Sequence, residues 1–178
     1  LWYNLSDQDY CYSVVQTPDS GFVVTGVFGS PQYEIDIWEP ILAGTFISKW
    51  DRHGNPEWNS TYSGNGDQGG YGICNSPDEN VLVVGSRRIQ VTYDWWEHDV
   101  FCVKKDATGH TQWYETFSAQ DDHPENSSDE GYSLCATNDN CYVIAGATTL
   151  DEHEDDDLFL FKIDPSGDVL WKKTYGGP

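Results

Sequence analysis

The side chains best suited to chemistry in this sequence are carboxylates gathered on short segments, five cysteines, and a few tryptophans outside any regular pattern. Asp151, Glu152, Glu154, Asp155, Asp156 and Asp157 form one run broken only by His153. Hard oxygen ligands on a single loop suit Ca2+, which takes about six to eight oxygens in flexible geometry. Glu34 and Asp36, and the stretch from Asp94 to Asp99, are acidic in the same way. None has the ligand order of a helix-loop-helix calcium site or of a glycine-rich calcium repeat, and a solvated acidic surface is the plainer reading. His98 and His153 would add nitrogen to a transition-metal site, yet lone histidines beside carboxylates are more often surface residues. No motif requires a cofactor, and Ca2+ is the metal that the pattern suggests.

Cys11, Cys74, Cys102, Cys135 and Cys141 are odd in number and lack the CxxC or CxxCH spacing of zinc, redox or haem sites. Cys135 and Cys141 flank the Thr137–Asn140 turn and are the candidate disulfide. They oppose each other only across a loop of odd length, since otherwise Cys135 faces Tyr142. Cys74 and Cys102 read as small buried apolar residues, and Cys11 as a thiol left unpaired or paired with another molecule. Trp38, Trp95 and Trp96 are the candidate ligand-stacking residues, because loop aromatics stack on sugars or anchor partners; packing of the loop itself is the competing reading. Asn4, Asn59 and Asn126 head N-x-S/T triplets and are candidate glycan acceptors. Asn126 is the best placed, in the polar run Asp121–Asp129, while Asn4 and Asn59 fall in expected strands, where a glycan needs an outward side chain. Neither a GxSxG elbow, a P-loop, HExxH nor a well-placed GxGxxG occurs, so no catalytic residue is assigned. The enzymatic reading that survives is a carboxylate pair for glycoside hydrolysis, whose separation sequence does not reveal.

Charge narrows the partners. Thirty acidic residues against nine Lys plus Arg give a formal charge of −21 and a pI near 4.1. Such a surface repels phosphate backbones, so nucleic acid is not an expected partner. No stretch approaches the roughly 18–20 apolar residues that cross a bilayer, so membrane insertion is not expected either. An aromatic content of 15% with eight tryptophans predicts a packed chain in spite of that charge. Methionine is absent from all 178 residues, which leads to the expectation of a processed or excised chain.

The dominant signal is an internal repeat of about 60 residues. Tyr12–Gly26 (YSVVQTPDSGFVVTG), Tyr71–Gly85 (YGICNSPDENVLVVG) and Tyr132–Gly146 (YSLCATNDNCYVIAG) align without gaps. Each is followed by a second block: Phe46–Trp58 (FISKWDRHGNPEW), Phe101–Trp113 (FCVKKDATGHTQW) and Phe159–Trp171 (FLFKIDPSGDVLW). In these, Lys49, Lys104 and Lys162 coincide, as do Asp51, Asp106 and Asp164, then Gly54, Gly109 and Gly167, and then the three tryptophans. Every block reads as two short β-rich runs around turn residues, such as Ser13–Thr17 and Phe22–Thr25 around Pro18-Asp19-Ser20-Gly21. Two hairpins per repeat make four strands, the layout of a propeller blade. Trp58, Trp113 and Trp171 read as fillers between adjacent blades, since they recur at fixed positions.

The run GYSLCATNDNCYVIAG, followed by DLFLFKIDPSGDVLWKKTYGG, resembles the repeat of secreted prokaryotic β-propeller proteins. The resemblance covers nearly the whole chain outside Phe28–Gly44, Ile89–Glu97, Ser118–Ser128 and Leu150–Asp156. It implies an extracellular or cell-surface location after removal of a signal segment, and a shape rather than an activity. The chain departs from the family pattern at Ser20 and at Glu79-Asn80, where a glycine pair is usual, which bears on those hairpin loops.

The expected architecture is all-β: a propeller-type array of three four-stranded antiparallel blades, near 10–64, 69–118 and 130–177, plus an extra strand at 1–5. Leu1-Trp2-Tyr3-Asn4 resembles the last strand of a repeat, Leu170-Trp171-Lys172-Lys173. Closed propellers take about four to eight blades, so three do not close within one chain. Exposed strand edges pair with other chains, and Leu1, Trp2, Tyr3, Asn4, Leu170, Trp171 and Lys172 are therefore the candidate assembly strands. The expected function is a non-enzymatic extracellular structural protein that self-associates into a ring or filament. A surface module that binds glycans or proteins is the alternative, as is a piece of a longer propeller. A carboxylate-based glycoside hydrolase is less favoured.

Overall fold

The computed structural model describes residues 9–29, 44–63, 68–92, 95–119, 128–149 and 156–176, with the backbone alone at 89–92 and 95–96. Among these residues the chain is all-β, with no helix. The strands are β1 (Asp9–Gln16), β2 (Phe22–Phe28), β3 (Gly44–Trp50), β4 (Pro56–Tyr62), β5 (Gln68–Asn75), β6 (Val81–Thr92), β7 (Trp95–Lys105), β8 (Thr111–Phe117), β9 (Ser128–Ala136), β10 (Tyr142–Thr149), β11 (Asp156–Ile163) and β12 (Val169–Tyr175).

Pairing is antiparallel and sequential in three sets. β1 to β4 form one four-stranded unit, β5 to β8 a second, and β9 to β12 a third. The first unit is a sheet of its own, whereas a single parallel bridge, His98 to Ser128, joins the second and third into an eight-stranded sheet. The candidate extra strand at Leu1, Trp2, Tyr3 and Asn4 lies outside the described residues.

The hairpin loops explain why strands stop where they do. All six share one geometry, in which a residue's N–H bonds the carbonyl four places on and its carbonyl receives the N–H three places on. Thr17 with Gly21 and Ser20 shows it, and Asp106 with His110 and Gly109 repeats it. The fourth position takes a positive φ, filled by Gly54, Gly109 and Gly167 in the second hairpins and by Ser20, Glu79 and Asn140 in the first. Departure from glycine at Ser20 and Glu79 therefore leaves the loop form intact at the cost of a left-handed side-chain residue. Glu79→Gly is expected to stabilise the protein by about 0.5–1 kcal/mol, raising the unfolding midpoint by about 2 °C in calorimetry.

Bulges recur as regularly as loops. One falls at Tyr12, Tyr71 and Tyr132 in the first strand of each unit. Another precedes the tryptophan of each fourth strand. The first draws the backbone onto the glycine that ends each first block. A Cβ on Gly85 would lie 1.8 Å from the Gly69 carbonyl oxygen, and Gly26 and Gly146 are as closely approached.

The middle unit is covered on both faces. In the run Val81-Leu82-Val83-Val84 alternate side chains point to opposite faces. Val81 and Val83, with Ile73, Phe101 and Val103, meet Val23 and Ile47 of the first unit. Leu82 and Val84, with Val100, Cys102 and Phe117, meet Leu134, Tyr142, Ile144, Phe159, Phe161 and Ile163 of the third. Each such side chain contributes about 1.5–3 kcal/mol by leaving water. Phe159 and Phe161 stack with centroids 4.4 Å apart, and Phe117 meets Phe161 edge-on at 6.3 Å.

Candidate functional site

Equivalent residues differ in exposure according to the unit that holds them. Ile73 and Leu134 are 7% and 9% exposed, but Val14, at the same repeat position in the first unit, is 59% exposed. Phe22 is exposed where Val81 and Tyr142 are buried. All the large apolar side chains exposed among the described residues belong to the first unit (Tyr10, Tyr12, Val14, Phe22) or the third (Tyr132, Leu158, Val169, Leu170, Trp171, Tyr175).

Cross-strand pairing assigns these residues to faces. In the first unit, Val14, Val24 and Ser48 share a face, with Phe22 and Trp50 farther along it; it is opposite the face of Val23 and Ile47 that meets the second unit. In the third unit, Leu158, Leu160 and Lys162 alternate with the buried Phe159, Phe161 and Ile163. They share their face with Tyr175, Lys173 and Trp171 of β12 and with Val143 of β10. Among the described residues, the apolar surface left uncovered is thus one sheet face of the first unit and one of the third.

The two internal contacts repeat one polar device. The Trp58 indole N–H donates to the Ala107 carbonyl at 3.0 Å, and that of Trp113 donates to the Pro165 carbonyl at 3.1 Å. In each case the acceptor is the first loop residue after β7 or β11's turn aspartate, on the next unit. The loop glycine lies against the same ring: a Cβ on Gly109 would come 2.8 Å from Cδ2 of Trp58, and on Gly167 3.5 Å from Cδ2 of Trp113. At Gly54, the equivalent position in the first unit, an added Cβ would meet nothing within 4 Å among the described residues.

A lysine anchors every unit beneath its tryptophan. Lys49 binds Asp19 and, at 2.5 Å, Glu57; Lys104 reaches Asp78 at 2.7 Å; Lys162 reaches Asp139 at 2.5 Å. Lys162, then Thr137, hold the Asp139 carboxyl down to about 2. Lys49, with Thr17 and the Gly21 amide, holds Asp19 well below the usual carboxylate range. Burial works to raise Asp78, but Lys104 and Ser76 outweigh it and the net displacement is downward. Burial likewise works to lower Lys49 and Lys104, and their carboxylate partners overcome it.

An aromatic row marks the first strands. The bulged Tyr12, Tyr71 and Tyr132 lie side by side, with ring centroids 5.4 and 6.0 Å apart. Bulges re-aim side chains in this manner. The Tyr132 hydroxyl donates to Glu130, which also meets His98 Nδ1 at 3.1 Å. The sequence marks these tyrosines as the start of each repeat but not as a surface; the glycine that ends each block, Gly26, Gly85 and Gly146, is the trace of their bulge.

The sequence-derived candidates fare unevenly. Trp58 and Trp113 fill space between units, while Trp171 stays 37% exposed because no later unit covers it among the described residues. Leu170, Trp171 and Lys172 lie in β12, at the edge of its sheet. Trp38 lies outside the described residues, as do the side chains of Trp95 and Trp96. Asp151, Glu152, Glu154 and Asp155 also lie outside them, with His153. Asp156 and Asp157 are consecutive strand residues of β11, so their carboxylates point to opposite faces rather than converging on one loop. No cluster of three or more metal-ligating side chains occurs among the described residues. Asn4 and Asn126 are undescribed, and Asn59 is half-buried with its side-chain oxygen enclosed, poorly placed for a glycan.

The cysteines require a correction. The Thr137–Cys141 loop is odd in length, but it centres on Asp139, so Cys135 pairs across with Val143 and Cys141 closes the loop against Thr137. All five thiols are free. Burial, with Cys135 nearby, pushes Cys74 up to about 12, and burial raises Cys102 well above the ordinary thiol value. Labelling with iodoacetamide at pH 8 is accordingly expected to modify the exposed Cys11 and Cys135 at least about tenfold faster than Cys74 or Cys102, as read by mass spectrometry.

No protein-family model matches the chain, and no curated protein matches it.

Proposed function

We propose that this chain is a propeller-type array of three blades in a non-enzymatic, extracellular structural protein that associates with further copies of itself into a ring or filament. The supporting observation is the placement of the exposed apolar side chains, which among the described residues fall on the two outer units and not on the middle one. Apolar surface gathered in that way marks an interaction site. Ca2+ belongs to this reading as a counterion that offsets the repulsion between copies carrying −21 each.

Sedimentation velocity over a wide concentration range, with and without Ca2+, tests it. The weight-average mass should rise from 20.1 kDa to at least double that value. A chain that sediments as a monomer throughout would remove the proposal.

The row of Tyr12, Tyr71 and Tyr132 favours a second reading, a glycan-binding surface, because neighbouring aromatic rings stack on sugar faces. Tyr71→Ala should then abolish retention on a glycan array without altering the sedimentation behaviour.

A further inference from the structure

We infer that two copies dock sheet face on sheet face, the outer face of β9–β12 in one copy against the outer face of β1–β4 in the other, laying Trp171 on Gly54 and giving its indole N–H to the Arg52 carbonyl. This rests on the self-association proposed above and adds which surfaces meet and in what register.

The chain contains the proposed contact twice already. The face of the first unit that carries Val23, Ile47 and Trp58 covers the face of the second that carries Ile73, Val81 and Val83. The face of the second that carries Leu82, Val84 and Trp113 covers the face of the third that carries Leu134, Tyr142 and Ile144. Each contact joins a tryptophan-bearing face to the opposite face of the following repeat. Among the described residues, one surface of each kind is left uncovered. Trp171 stands on the free tryptophan-bearing face, paired through β11 to Lys162 as Trp58 is to Lys49. Val14 and Phe22 stand on the free face of the other kind, at the positions of Ile73 and Val81.

The polar device is unmet at both ends in a matching way. Trp171 has no acceptor for its N–H among the described residues, and Lys173 Nζ lies over its ring, 5.9 Å from the centroid. Gly54 has the same positive φ as Gly109 and Gly167, but among the described residues no ring lies against it. Arg52 holds the loop position of Ala107 and Pro165, whose carbonyls accept the two internal indole bonds. Gln16 likewise holds the position of Asn75, whose amide reaches across the internal contact to the Gln16 carbonyl at 2.7 Å. A second copy seated by the same rule offers Gln16 the Ala136 carbonyl. Such a contact is heterologous, joining two different surfaces, so it propagates or closes according to its rotation.

The decisive experiment mixes two variants, Val14→Arg and Trp171→Arg, each blocking one face, in sedimentation equilibrium. Both positions are exposed, so folding should survive, and far-ultraviolet circular dichroism checks that it does. Each variant alone should associate at least about tenfold more weakly than the unchanged chain, because every contact it makes with itself includes a blocked face. An equimolar mixture should recover a one-to-one dimer, since one unaltered pair of faces remains. A mixture as monomeric as its components, or single variants that associate normally, would overturn the inference while leaving self-association standing; an unchanged chain that never associates would remove both. The register is read separately, with p-benzoylphenylalanine in place of Trp171 and one copy isotopically labelled. The expected crosslink joins position 171 to the Arg52–Gly54 peptide of the other copy, and a crosslink elsewhere would overturn the stated geometry.

Discussion

Phe161→Ala should lower stability by about 3–5 kcal/mol, the usual cost of deleting a fully buried aromatic side chain. Phe161 is buried against Phe159 and Phe117 in the contact between the second and third units, and truncation leaves a cavity that rigid sheets close only in part. Leu158 lies on the same strand three residues earlier and points to the other face. Leu158→Ala should change stability by less than about 0.5 kcal/mol and instead weaken association between copies. Urea unfolding followed by circular dichroism, paired with sedimentation, separates the two effects. Equal losses of stability would mean that the outer face of the third unit is not an outer face.

The second large effect is on association as a function of pH. At pH 7 two copies must approach with −21 each, whereas near the pI of about 4.1 the net charge vanishes. A like-charge penalty of only about 1.4 kcal/mol is tenfold in the association constant, so lowering the pH from 7 to about 4.5 should strengthen association by at least about tenfold. The fold should survive that change. Carboxylates held below their ordinary value stabilise the protein above the unfolded-state value near about 4 and lose that contribution as pH falls through the folded value. For Asp139 that value is about 2, and Asp19 is displaced in the same direction. Their ion pairs with Lys162 and Lys49 therefore persist across the window in which association is measured. The lysines are displaced upward, so their side of the pairing holds below about 10.4 and is lost only above it. Salt at pH 7 should mimic part of the effect, since the Debye length falls to about 3 Å at 1 M. Association that weakens between pH 7 and 4.5, with circular dichroism unchanged, would contradict the apolar nature of the contact.

The hairpins were readable because turn chemistry is local. Asp51, Asp106 and Asp164 accept backbone N–H bonds within their own loops, and glycine follows at the position of positive φ. The burial of Val81–Val84 on both faces was not readable, since Phe22-Val23-Val24 and Tyr142-Val143-Ile144 are equally apolar runs in the two outer units. Nor was register. Cys135 and Cys141 are separated by a shift of the loop centre from Asn138 to Asp139, and nothing in the residue types encodes so small a displacement. The bulges at Tyr12, Tyr71 and Tyr132 are equally silent, although the closely approached glycine opposite each is their trace. The largest difference concerns what the array leaves open. The sequence points to strand edges, and the edge strand β12 remains one; among the described residues an outer face is exposed as well, because alternation in β11 and β12 sends Leu158, Trp171 and Tyr175 outward together. Trp171 matches Trp58 and Trp113 in sequence and differs from them only in what lies above it.

Electron microscopy of the unchanged protein at association-competent concentration, near pH 5, is the most direct test of the central claim. The account expects particles larger than a 20.1 kDa chain in which units of adjacent copies stack at the same spacing as the units within a copy, as rings or as filaments. Isolated particles of single-chain size, with the Trp171 and Val14 faces both bare, would contradict it.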